Sequence, residues 1–317
     1  MIRKIYVGGL PPPYGGVSVY LYRLSKTEKD SSFIDTNRVK KIWFLKQFFF
    51  QGNHYIFNSS NQIVYIYGLL LKVFTKNKYS LYIHNSRLIE EWRNYNYLAK
   101  LSFRNAERVF VVNKEVKIFL ANRGIDTSRI IFKPAFLPPP LEDEKKILKT
   151  YPLALFNFIN SHKPLLIANA SKIVFYKGVD VYGLDICIEL IGKLKKIYID
   201  IGFIFALPDD SVEKDYQKKV KKIVKELNIE DNIFFLVDQK ELWPLFKRTN
   251  IMLRPTYIDG YGASIEEAIF FGIPAIASDV CNRPKGTILF KNRDIDDLYT
   301  KTIDIIENYE KYINKIK

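Results

Sequence analysis

The sequence predicts an α/β fold of two doubly wound, Rossmann-like parallel-sheet domains facing one another across a cleft. Three observations carry that expectation. Short apolar runs alternate with helical segments throughout the C-terminal half, the order of βαβ units. The N-terminal half repeats the alternation less regularly. Between them lies FLPPPLEDEKK, Phe136 to Lys146, where three prolines followed by charges interrupt strand and helix alike. The boundary is placed near Pro138, giving an N-terminal domain over 1–138 and a C-terminal domain over 139–317.

In the first domain, strands are expected at Ile2–Val7, Tyr55–Phe57, Leu81–His84, Arg108–Val112 and Ile130–Phe132. Helices are expected at Val17–Lys26, Gln62–Phe74, Leu88–Phe103 and Glu115–Arg123. In the second, apolar runs at Leu165–Ala170, Tyr198–Ala206, Ile233–Val237, Ile251–Arg254, Ala275–Ser278 and Thr287–Phe290 read as buried strands. Helices are expected at Gly178–Lys195 and Val212–Leu227, the latter with Tyr216, Val220, Ile223, Val224 and Leu227 on one apolar stripe. A last helix over about Ile295 to Ile316 closes the chain. In doubly wound folds ligands bind at the carboxyl ends of the strands, so candidate residues are sought there.

The densest such end is TYIDGYGASIEEAIFFGIPAIASD, Thr256 to Asp279. Pro255 stops the preceding strand. Asp259, Gly260, Tyr261 and Gly262 form a loop whose glycines permit positive φ and close approach of a ligand to the backbone. Ser264, three residues before Glu267, has the spacing of a capping box, so a helix is expected to start at Ser264. Gly272 and Pro274 end it. The N–H groups of such a helix start favour a phosphate, and Asp259 and Glu267 can accept hydrogen bonds from sugar or ribose hydroxyls. A plainer assignment stands beside this one: Glu267 caps its own helix and Asp259 only favours a turn.

Composition sets bounds. Formal charge is +15, which implies attraction to an anionic partner such as a pyrophosphate, anionic lipid or nucleic acid. No helix-turn-helix or finger pattern is present, so nucleic acid is the weakest of these. Cys187 and Cys281 are far apart and lie in or beside apolar runs, which suggests a reducing compartment and no disulfide framework. Three histidines, His54, His84 and His162, exclude a histidine-rich metal site. No apolar run reaches the roughly 18 residues of a membrane span, and the first residues lack a signal-peptide core, so a cytoplasmic location is expected.

The motifs in their order resemble those of retaining glycosyltransferase family 4. Asp259 and Glu267 stand where that family has the two glutamates of its E-x7-E signature. ASKIVFYKG, Ala170 to Gly178, resembles its GR…KG element, with Lys172 and Lys177 as the two cations. PPPYGGVSVYLYRL, Pro11 to Leu24, resembles its N-terminal Gly-Gly loop and first helix, and Ala106 to Ile125 resembles a further family segment. Asp for the first Glu is one methylene shorter, and Ser171 replaces a glycine. The resemblance implies the GT-B architecture, often with the last helix returning to the first domain. It implies a nucleotide-sugar donor, a glycan or lipid-linked acceptor, and retention of anomeric configuration.

The roles it implies are specific. Lys172 and Lys177 would hold the diphosphate with no metal and no cofactor, aided by the helix start at Ser264 and the Gly15–Gly16 loop. Asp259 would meet the donor-sugar hydroxyls, Glu267 the ribose, and the N–H groups near Tyr261 and Gly262 the sugar. His84, closing the run SLYIHN, would contact donor or acceptor; otherwise it is a hydrogen-bonded buried histidine. Each lysine has a plain alternative as a solvated surface charge.

Other activities share this architecture. A sugar-nucleotide epimerase is one, and a glycan phosphorylase another, although no cofactor lysine site for the latter is found. A non-catalytic subunit that binds a partner glycosyltransferase is favoured by the Asp-for-Glu change. RVKKIWFLKQFFF, Arg38 to Phe50, mixes aromatics with cations. It is either a core element with its lysines outward or a patch that meets an anionic membrane.

Overall fold

A computed structural model describes residues 3–40, 42–238 and 241–316. Ile2 of the first expected strand, Lys41 of the aromatic–basic run, and Lys317 lie outside these residues. The chain divides into two compact units, Met1–Leu137 and Pro138–Lys317.

The first unit runs β1 (Arg3–Gly8), α1 (Gly16–Thr27), β2 (Ser32–Asp35), α2 (Ile42–Lys46), β3 (Asn53–Asn58), α3 (Gln62–Phe74), β4 (Lys78–Ile83), α4 (Arg87–Glu91), α5 (Tyr97–Asn105), β5 (Val109–Val111), α6 (Lys114–Asn122) and β6 (Ile130–Phe132). Its sheet has the order β2-β1-β3-β4-β5-β6, with every pairing parallel. The order reverses between β1 and β3, whose carboxyl ends therefore flank the switch crevice of this sheet. Tyr55, Phe57, Tyr79, Leu81, Phe103 and Val109 are fully buried in its core.

One expectation here is corrected, and one strand is added. The helix expected over Leu88–Phe103 is broken: a 3-10 turn at Trp92–Asn94 intervenes, and Asn96 caps α5 by accepting from the Leu98 N–H at 2.8 Å. The short strand β2 carries too little apolar patterning to be legible in the sequence.

The second unit runs α7 (Glu144–Leu148), α8 (Leu153–Ser161), β7 (Leu165–Asn169), β8 (Phe175–Tyr176), β9 (Val179–Asp180), α9 (Leu184–Leu194), β10 (Gly202–Leu207), α10 (Lys214–Glu226), β11 (Ile233–Val237), α11 (Trp243–Phe246), β12 (Ile251–Arg254), α12 (Ala263–Phe270), β13 (Ala275–Ser278), β14 (Ile288–Phe290), α13 (Ile295–Glu307) and α14 (Tyr309–Ile316). Its main sheet, β11-β10-β7-β12-β13-β14, is again wholly parallel. Successive residues of β7 and β10 enter two separate cores. Leu166, Ala168, Phe203 and Phe205 face one; Leu165, Ile167 and Ile204 face the other with Trp243 and Phe246. Burial on both faces explains why these strands read as continuous apolar runs rather than alternating ones. The chain winds from β7 through β10 to β11 and then crosses back to β12, so the switch crevice lies at the carboxyl ends of β7 and β12.

The charged end of the interdomain stretch is helical, not irregular: Glu144 opens α7. The expected helix Gly178–Lys195 begins only at Leu184, because β8 and β9 form an antiparallel hairpin first. Lys177 and Gly178, at φ 51° and 78°, make its turn, the left-handed pair that a two-residue hairpin needs. The closing helix breaks at Asn308, and Tyr309 and Tyr312 pack on the core of the second unit.

Gly183 precedes α9 at φ 69°, and a Cβ there would lie 2.3 Å from the Pro255 carbonyl oxygen. Gly183→Ala should therefore destabilise the protein by about 1–3 kcal/mol in chemical denaturation; an unchanged midpoint would contradict this packing.

Candidate functional site

Each unit gathers sequence-flagged residues at its own switch crevice. In the first, Gly8 ends β1, Asn58 ends β3, and His84 follows β4 directly. A Cβ on Gly8 would meet Leu21 Cδ1 at 2.5 Å and Asn58 Cβ at 3.1 Å, so strand end and helix α1 touch only because the residue is glycine. Gly15 is the N-cap of α1 and Gly16 its first residue. The Ser18 hydroxyl accepts from the Gly15 N–H at 2.9 Å and donates to the Pro13 carbonyl at 2.7 Å, holding the loop that Gly15 and Gly16 close.

His84 Nε2 lies 2.9 Å from Asn58 Oδ1, the geometry of an imidazole N–H donating to an amide oxygen. Its ring stacks on Tyr82 at 4.2 Å and meets Tyr20 edge-on at 5.4 Å. Burial among these rings pushes its pKa down to about 3, so His84 is neutral at pH 7.

The second unit is richer. The helix expected to start at Ser264 starts at Ala263. Gly262, at φ 86°, is its N-cap, and no side chain caps it. The capping-box assignment is thus corrected. The left-handed residue that turns the chain into the helix falls two positions before Ser264, and a glycine occupies it. Glu267 lies in the second turn of α12 and is 7% exposed. Glu266 reaches back, accepting from the Tyr261 hydroxyl at 2.5 Å. Burial raises the pKa of Glu266 against the opposing pull of that bond.

Asp259 has the most committed side chain of the group. Its Oδ2 accepts from Arg254 Nε at 2.9 Å, Arg283 Nη1 at 2.7 Å and Thr256 Oγ1 at 3.2 Å. Its Oδ1 accepts from the Gly260 N–H at 2.9 Å and Arg254 Nη2 at 3.4 Å. A carboxylate offers about four lone-pair sites, so these contacts saturate it. Asp259 is therefore not the free hydroxyl acceptor that the sequence suggests. Burial alone would raise its pKa, but the guanidiniums of Arg254 and Arg283 hold its carboxyl far below the usual range. Sequence reasoning missed both arginines. Arg254 looked like the polar end of a strand, and Arg283 lies 24 residues beyond Asp259.

Arg254 ends β12, and its Nη1 donates to the carbonyl of Asn169, which ends β7, at 3.3 Å. Arg283 donates to the Ser278 carbonyl at 2.9 Å and Ser278 Oγ at 3.0 Å, at the end of β13. Lys172 follows β7 and is exposed, its backbone forming an isolated parallel β-bridge with Asp209. Lys177 is exposed at the hairpin tip, its Nζ 5.1 Å from the centre of the Tyr176 ring. Asp180 anchors that hairpin. Almost fully buried, it accepts from the N–H groups of Tyr182 and Leu184 and from the Tyr216 hydroxyl, each at 2.9 Å. Lys172, Asp259 and the start of α12 thus share the carboxyl edge of one sheet; His84, Gly15 and Gly16 belong to the other unit. Among the described residues, no cluster of three or more His, Cys, Asp or Glu side chains has the disposition of a metal site.

Residues 157–317, just over half of the chain, match the sequence model of the glycosyl transferases group 1 family. The chain is 21% identical over 204 residues to the lipopolysaccharide glucosyltransferase WaaG of Escherichia coli K12, covering 62% of the chain and 50% of WaaG. It is 28% identical over 151 residues to protein CapJ of Staphylococcus aureus, covering 45% of the chain and 37% of CapJ. The matches thus span half or less of these relatives' own length. The fold matches the crystal structure of Anabaena Alr3699/HepE in complex with UDP at a TM-score of 0.74 and 13% identity, over 98% of this chain and 92% of that one. The architecture is that of the GT-B glycosyltransferase structures.

A histidine held neutral by the fold binds a proton only on unfolding. Between its ordinary pKa of 6.5 and about 3, the unfolded state takes up a proton that folded His84 refuses, so stability falls as pH drops through this window. His84→Gln should flatten that part of the curve in urea titrations at pH 7 to 4. An unchanged slope would show that His84 protonates freely when folded.

Proposed function

The chain belongs to the glycosyl transferases group 1 family, and on that premise we propose that it transfers a sugar from a nucleotide-sugar donor to a glycan or lipid-linked acceptor, in building a surface polysaccharide or glycolipid. The single observation that carries this reading is the convergence of Arg254, Asp259, Lys172 and the α12 start on the carboxyl ends of β7 and β12. That edge combines positive charge with helix N–H groups. The relative named as a lipopolysaccharide glucosyltransferase and the HepE complex with UDP support a donor of this class.

In this reading Lys172 and Lys177 neutralise the charge that develops on the departing diphosphate, a role that elsewhere a metal fills. We therefore propose a metal-independent enzyme that needs no cofactor. The start of α12, near Tyr261, Gly262 and Ser264, lies beside the donor, and Glu267 takes the ribose hydroxyls. His84, neutral at pH 7, offers hydrogen bonds rather than charge. Family resemblance supports a retaining hexosyltransferase of family 4. The attacking acceptor hydroxyl passes its proton to the leaving phosphate oxygen as the new glycosidic bond forms on the same face.

The committed state of Asp259 favours one competing reading, a subunit that keeps the fold and binds a partner transferase. Incubation with UDP-, GDP- and ADP-sugars separates the two. Nucleotide release from at least one donor is expected, insensitive to EDTA, and reduced about a hundredfold in Lys177→Ala. Glu267→Ala should weaken donor binding. Silence towards every donor would leave the non-catalytic reading, and a β-configured product from an α-donor would exclude retention.

We also propose peripheral contact with an anionic membrane at the cytoplasmic face. Within the aromatic–basic run, Trp43, Phe44 and Phe48 pack against the core, whereas Phe49 and Phe50 are 87% and 56% exposed beside exposed Lys46. No helix among the described residues is long and apolar enough to cross a membrane. Phe49→Ser with Phe50→Ser should reduce co-sedimentation with phosphatidylglycerol vesicles; undiminished binding would remove this contact.

A further inference from the structure

The group around Asp259 contains two guanidiniums and one carboxylate, so it carries one net positive charge in a place largely closed to water. The Arg283 side chain is 1% exposed and the Arg254 and Asp259 side chains 12%. Their roles differ. Arg283 directs four of its five N–H donors to Asp259, Thr256 Oγ1, Ser278 Oγ and the Ser278 carbonyl. Arg254 engages Asp259 through Nε and Nη2, and Asn169 through Nη1. A guanidinium has five N–H donors, so among the described residues two remain on Arg254. Its Cζ lies 5.2 Å from the centre of the Tyr182 ring, a cation–π contact on one side of the guanidinium. Arg254 also bridges the ends of β7 and β12, the two strands that flank the switch crevice.

A net cation with unspent donors at that crevice calls for an anion, and a guanidinium edge suits two phosphate oxygens. Resting on the donor reading above, we propose that Arg254 is a phosphate-binding residue of the donor site and contacts the diphosphate of the nucleotide sugar. Asp259 and Arg283 are positioning residues that hold its guanidinium in place. Asp259 then acts through Arg254 instead of touching the sugar, and a carboxylate that looks like a sugar ligand in the sequence becomes part of an anion seat.

The test titrates the full chain and its variants with UDP, GDP and ADP and with the matching nucleosides, followed by calorimetry and ligand-observed NMR. Wild type should bind at least one diphosphate. Arg254→Gln should weaken that diphosphate about tenfold to a hundredfold and leave its nucleoside within about twofold. Arg254→Lys, which keeps the charge and loses the fork, should fall between. Asp259→Asn should lower the ratio of diphosphate to nucleoside affinity as well, whereas a merely structural loss would weaken both ligands alike. Arg254→Gln leaves Asp259 against Arg283, a balanced pair, so it decides the matter even if Asp259→Asn fails to fold. Diphosphate affinity unchanged in Arg254→Gln, with wild type binding normally, overturns this proposal and leaves the donor reading standing. Failure of wild type to bind any diphosphate overturns the donor reading, and this proposal with it.

Discussion

One buried carboxylate organises the carboxyl edge of the C-terminal sheet. Asp259 accepts from Arg254 at the end of β12 and from Arg283, which is itself bound to the end of β13. Arg254 continues to the end of β7. The Ser278 hydroxyl donates to the Thr256 carbonyl at 2.6 Å and closes the same group from below. In low dielectric such a group is all-or-none, since losing the carboxylate leaves two like charges buried together, at a cost of about 3–5 kcal/mol. The position of the Gly260–Gly262 turn, and so the start of α12, follows from this constraint. A Cβ on Gly262 would lie 3.1 Å from Arg283 Nη1, which ties the glycine to the arginine directly.

The N-terminal unit solves a related problem with neutral groups. At its own switch crevice there is a histidine–amide contact, His84 to Asn58, wrapped by Tyr20 and Tyr82. Burial keeps that histidine uncharged. The two units therefore present different chemistry on equivalent sheet edges: charge in the C-terminal unit, neutral hydrogen bonding and aromatic surface in the N-terminal one.

The parts of this architecture that were legible in the sequence share a cause. Strands buried on both faces, such as Ile251–Arg254 and Ala275–Ser278, write their burial into nearly every residue, and Gln62–Phe74 is apolar along nearly its whole length. What was illegible depends on contacts made at a distance. The β8–β9 hairpin is two residues a side and is specified by left-handed Lys177 and Gly178 and by Asp180 binding forward to Leu184. The start of α12 follows a glycine conformation, which outweighs the S-x-x-E spacing. Asp259 was recognised as a site residue, yet its partners Arg254 and Arg283 were not, because ion pairing across strand ends leaves no periodic trace.

If the donor nucleotide sits at the carboxyl ends of β7 and β12, as proposed above, its binding should shield the backbone there. Hydrogen–deuterium exchange of the full chain, with and without a saturating nucleoside diphosphate that it binds, tests this most directly. Slowed exchange is expected mainly at residues 170–180 and 256–267. Protection absent from both stretches, while the nucleotide is demonstrably bound, would contradict it.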